Sequence, residues 1–288
     1  MTDATPDATP RAAPAAPDAA PDAAPDATPD APLVRRAHDR GVTVLTLDSP
    51  HNRNALSRRL VGELHAALTA AAECTDTRAV LLTHTGTTFC AGADLTEATE
   101  AADTADTAGA AVSGPLGLVR LLRAVIELPK PVVAEVTGHV RAGGLGLLGA
   151  CDLSVAGPGA TFAFTEARLG LAPAVISMPL LPRMDPRAAA RYYLTGERFD
   201  AAEAARTGLV TLAADDPDAA LEPVLAGLRK GSPQGLAESK ALVTAEVLRT
   251  FDRDTAALAG TSARLFASDE AREGMTAFLQ RRDPSWVR

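Results

Sequence analysis

Between Val132 and Gly170 the chain reads VVAEVTGHVRAGGLGLLGACDLSVAGPGATFAFTEARLG, and this stretch limits the fold more than any other. Val132–Val136 is a β-branched run of the kind that forms a buried strand, and a glycine-rich turn follows it. Leu145-Gly-Leu-Leu-Gly-Ala150 is apolar on every side, which predicts a helix with no face in water. A buried strand feeding a buried helix requires covering layers on both, so the chain is read as a layered α/β protein. The same stretch holds one acid, Glu166, among apolar neighbours.

Its flanks repeat the pattern. Gly41–Asp48 alternates as a half-buried strand, and Ser57 caps a helix carrying Leu60, Val61, Leu64 and Leu68 on one face. Ala79–Thr83 is a short apolar strand, His84–Gly92 a Gly/Thr-rich loop, and Asp94 a helix start. Leu116–Leu128 is helical and stops at Pro129 and Pro131. Strands alternating with helices imply parallel βα units. After Gly170, residues 187–195, 200–207, 216–230 and 233–282 read as mostly helical, with a last short strand at Leu209–Leu212. The expected organisation is an α/β core over 33–215 and a helical region over 216–288. Residues 1–32, built of Ala, Pro, Asp and Thr with recurring PDA units, have almost nothing to bury and read as a disordered extension. That extension has neither the apolar core of a secretory signal nor the basic character of a mitochondrial one, so a cytoplasmic location is expected. Residues 99–114 are small and polar, a loop or a weak helix.

Charge and composition narrow the function. Net charge is -8; six Asp against one Arg in residues 1–32 account for -5 of it. Aromatics are 3% of the chain. Neither a phosphate-backbone surface nor a stacking platform can be built from this, so no nucleic-acid partner is expected. Cys74, Cys90 and Cys151 match no zinc or redox spacing, so no metal is expected and the thiols are read as free. No apolar run reaches the roughly 18 residues of a membrane span.

The glycines admit two readings. Gly144-x-Gly146-x-x-Gly149 fits the dinucleotide fingerprint, with Glu166 about 20 residues on. In that fingerprint the strand runs almost directly into the first glycine. Here seven residues separate Val136 from Gly144. The other reading is a backbone anion site: Gly143-Gly144 opens a helix, where bare N–H groups and the helix dipole favour negative charge on a ligand oxygen. Phe89-Cys-Ala-Gly-Ala-Asp94 offers a second loop of the same kind. Either loop alone is equally a tight turn. Two of them with a lone acid form the more specific constellation, suited to an oxyanion developing on a carbonyl.

Phe89-Cys-Ala-Gly-Ala-Asp-Leu95 and Gly138-His-Val-Arg-Ala-Gly-Gly144, with Ala150-Cys-Asp152, resemble the two signatures of the crotonase superfamily, the enoyl-CoA hydratase/isomerase family. The resemblance extends from about Leu33 to Arg282. It includes Asn54-Ala-Leu-Ser57, Lys130-Pro131, Phe162–Gly170, Leu194-Thr-Gly196, Gly208-Leu-Val210 and Glu273-Gly-Met-Thr-Ala-Phe278. It implies a crotonase-like ββα spiral core, a C-terminal helical region used in trimer assembly and in covering CoA, and an acyl-CoA thioester as substrate. No separate cofactor is implied, since coenzyme A enters as part of the substrate; a homotrimer or dimer of trimers is. By motif position, the N–H groups of Ala93 and Gly143 form the oxyanion hole and Glu166 is the proton-transfer group. Arg53, Ala55, Ala91, Asp94, Leu95, Phe278 and Arg281 fall at CoA-binding positions.

The chain departs from the family pattern at one informative place. A second glutamate usually follows the Gly-Gly pair by two residues and helps activate water; that position is Gly146. A single carboxylate suits a proton shuttle between the α- and γ-carbons, as in an enoyl-CoA isomerase, or slower hydration with one acid in both roles. Ala174 stands where dienoyl-type isomerases carry an Asp, which disfavours that activity. Other readings are a catalytically weak acyl-CoA-binding homologue and, more remotely, an NAD-binding oxidoreductase. His139 and Arg141 are read as loop or surface groups. Gly146→Glu is the natural test for hydratase activity; no gain would mean the pocket has been rebuilt around the missing acid.

Overall fold

The computed structural model describes residues 31–98 and 114–288. The acidic extension up to residue 30 and the small-residue segment 99–113 lie outside the described residues.

The described chain opens with a hairpin the sequence pattern shows only by half. β1 (Val34–Asp39) pairs antiparallel with β2 (Val42–Leu47). Arg40 and Gly41 join them at φ 43° and 83°, the paired positive dihedrals of a tight turn that follows strand twist. Only Val34 of β1 is buried, because β1 is an edge strand. α1 (Arg58–Glu73) follows, and Ser57 Oγ accepts from Leu60 N at 3.2 Å, the cap its sequence predicts.

From there the chain repeats two strands and a helix. β3 (Ala79–His84) and β4 (Thr88–Cys90) precede a helix that begins at residue 95 and α2 (Pro115–Glu127). β5 (Val132–Val136) and β6 (His139–Arg141) precede α3 (Gly143–Ala150). β7 (Leu153–Ala156) and β8 (Thr161–Ala163) precede a single 3-10 turn at Glu166–Leu169, then α4 (Ser177–Leu180) and α5 (Pro186–Thr195). β9 (Phe199–Asp200), α6 (Ala201–Arg206) and β10 (Leu212–Ala213) complete the strands. α7 (Pro217–Lys230), α8 (Pro233–Phe266) and α9 (Asp269–Leu279) follow.

The two strands of each repeat belong to different sheets. The larger runs β1-β2-β3-β5-β7-β10 and the smaller β4-β6-β8-β9. This is the crotonase-like ββα spiral, and it amends the simpler expectation of plain βα units. β4, β6 and β8 are three residues each, too short to show a period, so Thr88–Cys90 and His139–Arg141 looked like loop. The last strand is also displaced: Leu209 and Val210 are buried in a turn, and the strand begins at Leu212.

The main core lies between the sheets and the helices, and α3 runs through it with every residue from Gly144 to Ala150 buried. α7 covers the opposite face of the large sheet, setting Leu221 and Leu225 against Val42, Val133 and Val155. α8 lies along α2: Lys240 Nζ donates to Val125 O at 2.8 Å and pairs with buried Asp152 at 2.9 Å. The helical run expected over 233–282 divides at Ser268, whose Oγ caps α9 by accepting from Ala271 N at 3.2 Å.

Candidate active site

The parallel strands β4, β6 and β8 each release a loop at the same edge of the small sheet. Ligands in α/β proteins gather at the carboxyl ends of parallel strands, because the loops there are free to diverge while the strands hold them in register.

The loop after β4 is fixed by Asn54. This residue sits at φ 52°, fully buried, and spends its amide on backbone. Its Oδ1 accepts from Ser49 N at 2.7 Å, and its Nδ2 donates to Thr88 O at 2.8 Å and Thr85 O at 3.1 Å. Ala91 N then donates to Arg53 O, and Leu56 N to Gly92 O, in a one-residue bridge between Leu56 and Ala93. Asp94 closes the loop as a helix cap: Oδ1 accepts from Thr96 N and Glu97 N, and Oδ2 from Asn52 Nδ2.

The loop after β6 turns on Ala142, at φ 46° and ψ -122°. That region is costly for any residue with a Cβ and persists where packing over-determines it. It aims Gly143 at the neighbouring loop. A Cβ on Gly143 would stand 3.6 Å from Ala93 N, and one on Gly92 would stand 3.0 Å from Gly143 N. The Ala93 and Gly143 backbones therefore meet across the two loops, and among the described residues neither N–H donates to another backbone group. Gly144 maintains this approach, since a Cβ there would stand 2.5 Å from Cys90 O. Gly144→Ala should force the loops apart and lower stability by about 1–3 kcal/mol, read as a drop in thermal midpoint together with lost turnover.

The loop after β8 carries Glu166. Ala142 N donates to Ala163 O at 3.3 Å, so the strand that leads to Glu166 ends against the turn at Ala142. Glu166 O accepts from Leu171 N at 2.9 Å, and Gly170, at φ 71°, ends the turn. The residue is 8% exposed, and among the described residues its Oε2 has no hydrogen-bond partner. The neighbouring cation does not pair with it: Arg168 Nε donates to Thr195 O at 3.0 Å instead. Burial without a counter-charge pushes the Glu166 carboxyl up to about 7. α9 backs this turn at backbone distance. A Cβ on Gly274 would stand 2.5 Å from Leu169 O, and one on Gly170 would stand 2.7 Å from Glu270 C.

The expected CoA positions are less concentrated. Ala55 is buried under the first loop, and Ala91, Asp94 and Leu95 are half-buried along its rim. Arg53 is exposed at φ 60°. Phe278 and Arg281 stand exposed at and just past the C-terminal end of α9. His139 and Arg141, read as loop or surface groups, are strand residues that brace β6 on β8. Arg141 Nη1 donates to Thr161 O at 2.7 Å, and His139 Nδ1 shares a 2.9 Å hydrogen bond with Thr161 Oγ1. The dinucleotide fingerprint fails on packing. Its three glycines are buried inside α3, where a Cβ would strike Cys90 at Gly144, Ile176 at Gly146 and Leu180 at Gly149. Among the described residues no cluster of three or more His, Cys, Asp or Glu could hold a metal ion.

Comparison with known proteins agrees with this geometry. The family model described as enoyl-CoA hydratase/isomerase matches residues 37–288. A Thermus thermophilus protein provisionally named enoyl-CoA hydratase is 34% identical over 246 residues, 84% of this chain and 96% of that one. Mevalonyl-coenzyme A hydratase of Aspergillus fumigatus is 29% identical over 250 residues, 85% of this chain and 91% of its own. A solved enoyl-CoA hydratase structure from Mycobacterium avium superposes with a TM-score of 0.80 at 54% identity, covering 88% of this chain and 99% of that one.

Proposed function

The chain belongs to the enoyl-CoA hydratase/isomerase family, and from that premise we propose that it hydrates a 2-enoyl-CoA thioester with Glu166 as its single acid/base. One observation supports this most: a buried carboxylate without a counter-ion among the described residues shares a sheet edge with two neighbouring backbone donors. The Ala93 and Gly143 N–H groups hold the thioester oxygen and stabilise negative charge as it develops there. That makes the β-carbon electrophilic and the α-carbon basic once the enolate forms. Ionised Glu166 removes a proton from water as the oxygen adds to the β-carbon, then returns that proton to the α-carbon. Coenzyme A is carried in by the substrate and no further cofactor takes part. Arg53, Phe278 and Arg281 are the groups offered to its nucleotide end.

Isomerisation of a 3-enoyl-CoA is the second reading, favoured by Gly146, which leaves the site one carboxylate. There Glu166 would move a proton from the α- to the γ-carbon, and water would take no part. Incubation with crotonyl-CoA and with a 3-enoyl-CoA, followed by product analysis, separates the two. Binding of NAD(H) in place of CoA esters would overturn both, and tight binding without turnover would leave an acyl-CoA-binding protein.

The rate should depend on pH in a set direction. Glu166 must be ionised to take the first proton, so kcat/KM for hydration should rise with pH through about 7. A flat profile from pH 5 to 8 would remove Glu166 from this role. A homotrimer, or a dimer of trimers, would cover Leu242 and Val243, which α8 leaves 79% and 74% exposed; light scattering checks this. No helix among the described residues is long and apolar enough to cross a membrane.

A further inference from the structure

Three buried side-chain oxygens have no hydrogen-bond partner among the described residues: Asp152 Oδ1, Glu166 Oε2 and Tyr193 Oη. Asp152 is accounted for, because its other oxygen pairs with Lys240. The remaining two lie on neighbouring elements. α5, which carries Tyr193, packs against the Glu166 turn, and the Tyr193 ring lies 4.5 Å from that of Phe164, two residues before Glu166. α5 ends at Gly196, where a Cβ would stand 3.1 Å from Phe164 O. The chain then enters β9, antiparallel to β8 with Phe199 opposite Phe162. Tyr193 thus reaches the sheet edge where the loops after β4, β6 and β8 already converge.

The adjacent tyrosine shows what a satisfied phenol looks like here. Tyr192 Oη donates to Glu203 Oε1 at 2.7 Å, so α5 has room and partners for one hydroxyl and leaves the other unmatched. Buried polar atoms are nearly always paired, and a buried water needs two or more polar groups around it. Glu166 Oε2 and Tyr193 Oη are two such groups on packed elements, near enough for the Glu166 charge to act on the phenol.

We propose that the Tyr193 hydroxyl is the second hydrogen-bonding partner of the water that adds to the substrate, a task the side-chain-free position 146 cannot perform. This rests on the hydration reading above. The water is held by Glu166 Oε2 through one O–H and by Tyr193 Oη through the other. Its oxygen bonds to the β-carbon as the C=C electrons move toward the thioester, and the enolate oxygen is received by Ala93 and Gly143. The proton on the first O–H passes to Glu166 and from there to the α-carbon. The proton on the second remains in the new hydroxyl group. Tyr193 keeps its own proton throughout; burial and the nearby Glu166 charge hold the phenol far from ionisation. Tyr193 is therefore a catalytic residue for hydration and has no part in moving α-protons.

That division supplies the test. Crotonyl-CoA hydration needs the water; exchange of the α-protons of butyryl-CoA in D2O needs only Glu166 and the two N–H donors. Tyr193→Phe should slow hydration roughly 10- to 100-fold while exchange stays within about twofold. Tyr192→Phe should leave the ratio of the two rates unchanged. Hydration at the wild-type rate in Tyr193→Phe would overturn the proposal, and so would a parallel fall in both rates. A wild-type protein that exchanges α-protons and does not hydrate would also overturn it, while leaving the enolate chemistry standing. One that does neither would remove the proposed function itself.

Discussion

Glu166→Gln should abolish most turnover while leaving the protein folded. Gln keeps the volume and one acceptor oxygen but cannot take a proton, so hydration and α-proton exchange should both fall by about 10²–10⁴-fold. CoA-thioester affinity should change little, because the proposed holders of the thioester oxygen are the backbone groups of Ala93 and Gly143. Stability should move the other way. The carboxyl titrates at about 7 in the fold against an ordinary value of 4.5, because burial disfavours its charge. Between those values the folded protein holds a proton that the unfolded chain has released. Stability is therefore lost as pH rises through this window, by roughly 3 kcal/mol in all. Glu166→Gln escapes that loss, so its unfolding midpoint should exceed that of the parent at pH 8 and match it near pH 4. A variant that is no more stable at pH 8 would mean that Glu166 ionises freely in water, and one that retains turnover would remove Glu166 from the proton transfer.

Gly146→Glu should fail to fold well and should gain no activity. A Cβ at this position would overlap Ile176: its Cβ would be 2.9 Å away and its Cγ2 nearer still, with Leu122 Cδ1 at 3.3 Å on the other side. The space that an acid at this position would need is filled by a β-branched side chain, which is the rebuilt pocket that the sequence left as one outcome. Overpacking alone costs about 1–3 kcal/mol, and burying a carboxylate without a partner costs several more. That sum is comparable to the whole stability of a typical domain. Gly146→Ala isolates the first contribution. Gly146→Ala should cost less in an Ile176→Gly background than in the parent, because the clash is then gone; an Ile176→Ala background should relieve less of it, because the Ile176 Cβ is itself too close. A stable Gly146→Glu protein with faster hydration would show that Ile176 yields easily.

How far the sequence could be read depended on how local each signal was. The Ser57 cap, the α1 face and the Val132–Val136 strand are legible because their residues are contiguous and periodic. That the loops at Phe89–Asp94 and Gly143-Gly144 belong together could be suspected from their glycines, but the choice of Ala93 and Gly143 within them came through resemblance, since their approach depends on strands of three residues that pair across a sequence gap of about fifty positions. Asn54 could have been noticed as a polar residue preceding a helix cap, but its three backbone partners lie across another loop. Ile176 gave no signal: an isoleucine in an apolar segment reads as core, and here it fills the space a side chain at position 146 would need. Tyr193 was invisible for the complementary reason. Tyr192 and Tyr193 look alike on the page, and only the fold gives one a carboxylate and leaves the other open.

The contact of α9 with the Glu166 turn has a consequence in time. Gly274 against Leu169 and Gly170 against Glu270 join segments about a hundred residues apart in the chain. Synthesis proceeds at roughly 5–20 residues per second, so the turn bearing the acid leaves the ribosome on the order of 5–20 s before the helix that supports it. Over that interval the acid lacks its support. If Glu166 moves the proton as proposed, the chain's competence for that chemistry arrives only with the last helix to be made.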